Sequence, residues 1–359
     1  MEVALRLARR ALGTAWPNPA VGCTLVRDGR IVGRGWTQPG GRPHAETEAI
    51  RRAGKAAKGA DAYVTLEPCS HVGKTPPCAE AMIDAGIARA VIAIEDPDPR
   101  VSGKGTAWLR SAGIEIIEGV CADEAAEINA GYQLRLMHGR PLFTLKIASS
   151  LDGRIATAAG DSRWITGAPA RATAHRLRAD HDAVIVGIST AMADDPALTC
   201  RLPGLEARSP VRVVLDSTAR LPAGSVLACT AADVPTWLFT TIAAPADRVE
   251  ALEALGVRVM RVEANDDGWP APAAVAEVLA EEGITRVLIE GGGTVAAAFL
   301  AAELVDRVAW FHAPRVIGAD GIPAAAALGV ETVDAAPGFV FAGTQAIAGD
   351  LLSTFRVGG

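Results

Sequence analysis

Hydrophobic positions recur at two spacings along the chain. In MEVALRLARRALG they fall three and four apart with arginines between them, which predicts an amphipathic helix over roughly 2–13. AVGCTLVRDGRIVGRGW then reads as two β-rich runs around an Asp28-Gly29 turn, a hairpin. Helix and strand patterns alternate from there: HAETEAIRRAGKAA helical, AYVTL a buried strand, CAEAMIDAG helical, AVIAIED a strand, GTAWLRSAG helical and IEIIEGV a strand. That alternation predicts a largely parallel sheet with helices on its faces. ADEAAEINAGYQLRLMHG, at 122–139, is a connecting helix that runs out at Gly139-Arg140-Pro141, so the domains are expected to be 1–139 and 140–359.

The pattern then restarts. LFTLKIASSL, AVIVGIS, VRVVLDS, TWLFTT, RVLIEGG and RVAWFHAP read as strands, with APARATAHRLRA and TVAAAFLAAEL as helices between them. Pro/Gly/Ala-rich stretches at 203–210, 243–247 and 266–273 read as loops, and there is no internal repeat. A length of 359 residues fits two domains at the usual ~100–200 residues each. With half of the residues apolar, both can bury a core.

The net charge of −6 offers no basic face for phosphate neutralisation, which argues against a nucleic-acid partner and for a small molecule. No uncharged apolar run approaches the ~18–20 residues that cross a bilayer, and the charged first helix lacks a signal-type apolar core, so a cytoplasmic protein is expected with no membrane partner. Cys23, Cys121, Cys200 and Cys229 stand alone and read as reduced core cysteines. Cys69 and Cys78 stand near each other.

PHAETEA and TLEPCSHVGKTPPC carry the chemistry. His44 and Glu46 open a helix, Cys69 follows strand AYVTL, and Cys78 opens the next helix behind Pro76-Pro77. One histidine and two cysteines from the same sheet edge make three soft zinc ligands and leave a fourth position open, the mark of a catalytic zinc whose water has its pKa lowered to ~7. A helix N-terminus favours the thiolate of Cys78. Glu46, beside such a water, can take its proton and pass it to a leaving amine. The nucleobase-deaminase signature, H-x-E followed by P-C-x-x-C, matches at His44-Ala45-Glu46 and Pro68-Cys69. It departs at the second cysteine, which follows after eight residues rather than two. A closed structural zinc is the competing reading, and it lacks a fourth ligand.

The insert SHVGKTPP, with HAE and the upstream WPNPAVGC, resembles the deaminase domain of the bifunctional riboflavin-biosynthesis deaminase/reductase family. TLKIASSLDGRIA, DSRWIT, ADDPALTCR and IEGGGT resemble its reductase half in the same order, so the resemblance covers the whole chain. It implies an α/β fold, a cytidine-deaminase-like three-layer domain followed by a dihydrofolate-reductase-like domain. It also implies zinc on His44, Cys69 and Cys78, Glu46 as proton shuttle, and substrate contacts from Asn18, His71 and Lys74. The implied substrate is a diaminopyrimidinone ribosylamine phosphate, deaminated at C2. Members of the family can carry histidine where this chain has Thr37, and a short N-terminal lead present in relatives is expected to be missing.

Strand RVLIE running into Gly291-Gly292-Gly293 and a helix is an anion cradle of bare backbone amides, without the Rossmann G-x-G-x-x-G fingerprint. The resemblance makes the anion NADPH, lined by Ala148, Trp164, Thr190, Asp194, Ser217, Gly292, Gly293, Thr294, Val295, Ala296, Ala297 and Ala298. Ser162, Arg178, Leu198, Arg201 and Glu290 would face the substrate. Arg178 and Arg201 also stand on their own chemistry, because guanidinium forks suit a ribose 5′-phosphate. A charged helix face competes for Arg178, and core packing competes for Trp164. Hydride would go to C1′ of the ribose, with Lys146, Asp194 and Glu290 left as alternatives for proton delivery. His138, His175, His181 and His312 read as surface or packing residues. Two-domain members of the family associate through their reductase halves, so a homo-oligomer is expected. A nucleic-acid-editing deaminase would need a basic or aromatic surface, which 4% aromatics do not provide. A zinc-stabilised binding module would make Glu46 dispensable.

Overall fold

Glycine sets how closely the first helices approach their sheet. A Cβ on Gly22 would lie 1.9 Å from the Ala4 carbonyl oxygen, and one on Gly35 would lie 2.0 Å from that of Ala45. A computed structural model describes residues 1–71 and 76–358. The chain divides into one unit of Met1–Arg140 with Glu282–Thr285 and a second of Pro141–Glu281 with Arg286–Gly359.

In the first unit the elements are α1 (Glu2–Ala8), β1 (Gly22–Arg27), β2 (Arg30–Trp36), α2 (Ala45–Ala53), β3 (Asp61–Val64), α3 (Cys78–Asp84), β4 (Arg89–Ile92), α4 (Lys104–Ser111), β5 (Glu115–Glu118) and α5 (Ala122–His138). The sheet runs β2-β1-β3-β4-β5. Only β3, β4 and β5 are parallel; β1 is antiparallel to both β2 and β3, which corrects the expectation of a largely parallel sheet. The first helix is also shorter than its periodicity suggests. It stops at Ala8, the chain continues in i→i+3 turns such as Ala11 N to Ala8 O, and Gly13 takes a left-handed φ of 71°. One face of the sheet buries Leu25, Val64 and Ile92 with Ala49, Met82 and Leu109. The other packs Ala93 against Leu5, Ala8 and Ile128. Helices therefore cover both faces, and each fully buried Leu or Ile contributes about 1.5–3 kcal/mol.

The second unit contains β6 (Leu142–Ser149), β7 (Arg154–Ala156), α6 (Ala168–Ala179), β8 (Ala183–Gly187), α7 (Ile188–Asp194), β9 (Val211–Leu215), α8 (Val226–Cys229), β10 (Thr236–Thr240), α9 (Ala246–Glu253), β11 (Arg258–Arg261), α10 (Pro272–Glu281), β12 (Arg286–Gly291), α11 (Gly293–Ala301), β13 (Val305–His312), β14 (Ile322–Pro323), β15 (Phe339–Ile347) and β16 (Asp350–Val357). Its main sheet runs β11-β10-β9-β8-β12-β6-β13-β16-β15. Seven strands are parallel, and the β15–β16 hairpin adds an antiparallel edge. The stretch 243–247 is a loop only as far as Pro245, where α9 begins.

Arg212 interrupts the apolar run of β9 yet is only 1% exposed. Its guanidinium donates to the Val234 carbonyl at 2.6 Å and to the hydroxyls of Thr236 at 2.6 Å and Thr230 at 2.7 Å. Burial lowers its pKa to about 10, so it remains a cation solvated by main chain and hydroxyls. Among the isolated cysteines, Cys23 and Cys200 are buried and Cys121 is half-buried against the Leu5, Ala8 and Ile128 cluster, whereas Cys229 is exposed, so the core reading fails for Cys229.

Candidate active sites

Three donors converge in the first unit. His44 is the residue before α2, Cys69 lies in the loop after β3, and Cys78 is the first residue of α3. Their ligand atoms lie within 4.8 Å of one another. His44 Nδ1 is 3.3 Å from Cys78 Sγ and 3.6 Å from Cys69 Sγ. With bonds of about 2.0 Å to nitrogen and 2.3 Å to sulfur, a tetrahedral zinc separates such donors by about 3.6 Å. The donor set therefore fits zinc in chemistry and in size. The Cys78 amide donates to Cys69 Sγ at 3.3 Å, and the shared proton leaves the Cys69 thiol pushed well down and the Cys78 thiol pushed up.

Glu46 is in the first turn of α2 and only 3% exposed. Burial raises its pKa to about 7, with His44 pulling the other way and Cys69 reinforcing the rise. Cys78 opposes part of that rise. A carboxyl at that pKa can accept and return a proton near neutrality.

The loop before β1 brings Asn18 to the same place. Its Nδ2 lies 3.0 Å from the Gly41 carbonyl oxygen and 3.2 Å from His44 Nε2. Gly41 is needed there, since its φ is +83° and a Cβ would lie 2.6 Å from Asn18 Cγ. Thr37 braces the loop: its hydroxyl accepts from Val21 N at 3.0 Å and donates to Pro19 O at 2.9 Å. At 2% exposure it holds the backbone and presents little to a ligand. Asn129 of α5 clamps the neighbouring Ala20 through both its N–H and its C=O. His71 is partly buried, with an unpartnered Nδ1 among the described residues; Lys74 lies outside the described residues.

Sequence reasoning missed the carboxylates beside this centre. Glu67, two residues before Cys69, accepts from the amides of Gly103 at 2.9 Å and Thr106 at 3.0 Å, tying the cysteine loop to the start of α4. Asp96, past the end of β4, is 5% exposed, and burial raises its pKa to about 6. Asp98 is held low by the Arg100 guanidinium, with His71 adding to the effect. The available signal was the acidic, proline-broken EDPDP immediately after a buried strand.

In the second unit Glu290 of β12 is the centre of charge. It accepts from Arg178 Nε at 2.5 Å and from the Arg178 terminal nitrogen at 3.0 Å, and Lys146 Nζ of β6 is 3.8 Å away. Burial pushes its pKa up, but Arg178 and Lys146 outweigh that and take it to about 2. Arg178 is therefore a structured partner of Glu290 rather than a free charged helix face. His175, read from sequence as surface or packing, lies 3.4 Å from Arg201 Nε and 3.1 Å from the Thr199 carbonyl oxygen. Ser162 is half-buried in the turn that carries Trp164, and Ala148 is half-buried one β-repeat beyond Lys146. Leu198 corrects its reading: the side chain is 3% exposed in the core, its backbone is left-handed at φ 53°, and only main chain is left to meet a ligand.

A cleft of about 180 Å³ opens at the ends of β8 and β9 beside α11, lined by Ser217, Thr294, Val295 and Ala298 among the expected cofactor residues. Gly292 turns at φ +81°, where a Cβ would lie 3.2 Å from Thr190 Oγ1, and a Cβ on Gly293 would lie 2.8 Å from the Pro323 carbonyl oxygen. The first turn of α11 reaches the cleft through Thr294 and Val295, and a helix N-terminus there fits a dinucleotide phosphate. Ala296 and Ala297 are instead 3% and 7% exposed and turn into the core. Trp164 and Asp194 do not line this cleft. Trp164 is 60% exposed under the Arg171 guanidinium, so it is not core packing, and it borders a second cavity of about 460 Å³ with Pro169 and Arg315. The Asp194 carboxylate is 3.8 Å from Arg163.

A zinc-deaminase unit and a dihydrofolate-reductase-like unit on one chain define a bifunctional deaminase and reductase. Residues 1–94 match the cytidine and deoxycytidylate deaminase zinc-binding region, and residues 141–352 match the RibD C-terminal domain. The riboflavin biosynthesis protein RibD of Bacillus amyloliquefaciens is 46% identical over 319 residues, covering 89% of this chain and 84% of that protein. RibD of Escherichia coli strain K12 is 39% identical over 361 residues, covering 95% and 94%. Among solved structures, Acinetobacter baumannii RibD is similar with a TM-score of 0.86 and 37% identity, covering 99% and 97%. A diaminohydroxyphosphoribosylaminopyrimidine deaminase/5-amino-6-(5-phosphoribosylamino)uracil reductase from Thermotoga maritima gives 0.85 and 35% over the same shares. The chain belongs to the RibD family of bifunctional riboflavin-biosynthesis enzymes.

Proposed function

We propose that the chain performs two consecutive steps on one phosphorylated pyrimidine. The first is hydrolytic deamination of 2,5-diamino-6-(5-phosphoribosylamino)pyrimidin-4(3H)-one by residues 1–139. The second is NADPH-dependent reduction of the ribosyl chain by residues 140–359, giving 5-amino-6-(5-phosphoribitylamino)uracil. The observation that carries this reading is the buried Glu46 carboxyl beside three donors spaced for zinc.

Zinc on His44, Cys69 and Cys78 supplies Lewis acidity and an easily deprotonated water. Glu46 receives the proton of the attacking water at its carboxylate and delivers it to the departing amine, so that a C2–O bond forms, the C2–N bond breaks and ammonia leaves. Asn18 can read the pyrimidine edge, and His71 and Lys74 supply donors for carbonyl or phosphate oxygens. NADPH supplies the hydride for the second step. The 3.8 Å approach of Lys146 Nζ to Glu290 supports Lys146 as the group that protonates the ribose ring oxygen as the C1′–O bond opens. Because Arg178 is engaged with Glu290, phosphate recognition rests mainly on the exposed Arg201, oriented by His175.

Exposed Val340 and Phe341 on the edge strand β15 and Val357 on β16 support a homo-oligomer formed through this unit. No helix among the described residues is long and apolar enough to cross a membrane; the cytoplasmic location is part of the proposal. The test follows ammonia with and without NADPH, and NADPH oxidation with and without zinc chelation, on freshly generated substrate. Ammonia without cofactor, and NADPH oxidation that needs the zinc-dependent step, are expected. Glu46→Gln should stop ammonia release while zinc stays bound; a Glu46→Gln enzyme that still released ammonia would remove Glu46 from the proton path, and a wild type that bound zinc without releasing ammonia would leave only the binding-module reading of this centre.

A further inference from the structure

We infer that Arg220 selects NADPH over NADH by reading the 2′-phosphate of its adenosine, and that Trp269 forms the wall against which the adenine stacks. This rests on the use of NADPH by the second unit. The sheet order β9-β8-β12-β6 separates Lys146 and Glu290, where reduction takes place, from the end of β9. At about 4.8 Å per strand that separation is about 14 Å from β6 to β9, the scale of an extended dinucleotide. The cleft at the end of β9 is therefore where the adenosine arrives once the phosphates lie at the start of α11.

The lining of that cleft is suited to an anion. Its polar residues include Ser217, Arg220, Asn265 and Thr294, and among the described residues that line it there is one cation and no carboxylate. Dinucleotide sites that prefer NADH place an acidic residue on the 2′-hydroxyl, whereas an arginine there accommodates the 2′-phosphate. The acid at the strand end here, Asp216, is fully buried and turned away, accepting from Leu221 N at 2.8 Å through Oδ2. Its Oδ1 has no hydrogen-bond partner among the described residues and faces Arg220 Nε at 3.6 Å. That distance orients the guanidinium without closing a hydrogen bond, which leaves its donors for a ligand.

Trp269 also lines the cleft and is 44% exposed. The backbone beneath it is pinned, because Asn265 Oδ1 accepts from Trp269 N at 2.9 Å and Asn265 N donates to Trp269 O at 2.7 Å. A half-exposed indole on a fixed backbone is a ready stacking surface.

Isothermal titration calorimetry of the full chain with adenosine 2′,5′-diphosphate and 5′-AMP isolates the 2′-phosphate. The wild type should prefer the diphosphate by about 30-fold, the scale of one charge-assisted contact, and Arg220→Gln should abolish that preference while 5′-AMP binding changes less than about threefold. Trp269→Ala should weaken both probes by the same factor, about tenfold. Trp269→Phe keeps a ring and should remove the fluorescence quench that the diphosphate causes in the wild type, a readout independent of how Arg220→Gln folds. Equal losses for both probes in a folded Arg220→Gln chain, an unchanged preference, or an undiminished quench in Trp269→Phe overturn the proposal. Wild-type chain that binds NADP⁺ and NAD⁺ alike overturns it while leaving dinucleotide use intact. Binding of neither overturns NADPH use as well.

Discussion

Acidification should destabilise the second unit through a single buried histidine. His181 follows α6 and is 4% exposed. Its Nδ1 is 2.7 Å from the Leu177 carbonyl oxygen, which can only accept, so Nδ1 carries the proton and Nε2 accepts from the Thr144 hydroxyl at 2.9 Å. Burial, above all, lowers its pKa to about 3 from 6.5; Arg286 and Arg307 push the same way, and the Leu177 hydrogen bond and Glu290 oppose them. The folded chain thus refuses a proton that the unfolded chain accepts below pH 6.5. Stability contributed by the neutral ring is complete above that pH and is lost as pH falls from 6.5 toward 3. Linkage makes the loss about 2 kcal/mol between pH 7.5 and pH 5.

His181→Gln removes the titration. It should cost about 1–2 kcal/mol at pH 7.5 from weakened hydrogen bonds, and should then lose about 2 kcal/mol less than the wild type on moving to pH 5. Because two units make one overall unfolding free energy ill-defined, the assay is hydrogen exchange resolved to β6 and α6 peptides, corrected for the intrinsic pH dependence of exchange. Other titrating groups act equally in both chains and cancel in the difference. Parallel pH responses of wild type and variant would refute the assignment of the acid sensitivity to His181.

Two further substitutions test the architecture. Gly105→Ala places a Cβ 1.9 Å from the Pro68 carbonyl oxygen, next to Cys69, and should weaken zinc binding by about tenfold or more, as other changes behind metal ligands do; competition with a chromogenic chelator measures it, and unchanged affinity would mean that the cysteine loop does not depend on α4. Arg212→Met leaves the acceptors of Val234, Thr230 and Thr236 without their buried donor and should cost about 3 kcal/mol or more, read as faster exchange in β9 and β10.

How much of this was legible in the chain depended on where each partner comes from. The strand AVIV of β8 is at most 1% exposed along its length, and such uninterrupted burial leaves an apolar run that a periodicity argument finds. The β15–β16 hairpin went unread for the converse reason: most of β15 is exposed, so its sequence lacks the contrast between faces that marks a half-buried strand. Helix α1 was overextended because the apolar spacing persists beyond Ala8, while the left-handed turn at Gly13 is a single backbone angle.

The two sites divide on the same principle. His44 and Glu46 at the start of α2, and Cys69 and Cys78 between β3 and the start of α3, belong to consecutive elements that flank β3, and residue type plus short spacing sufficed to group them. Glu290 meets Arg178 across 112 residues because β12 inserts between β8 and β6, and Arg201 meets His175 across 26. No local pattern encodes that insertion. Residues whose partners lie far along the chain, such as His175 with Arg201, therefore look like ordinary solvent-facing side chains until the fold is known, and these are the positions at which a structure adds most to a family resemblance.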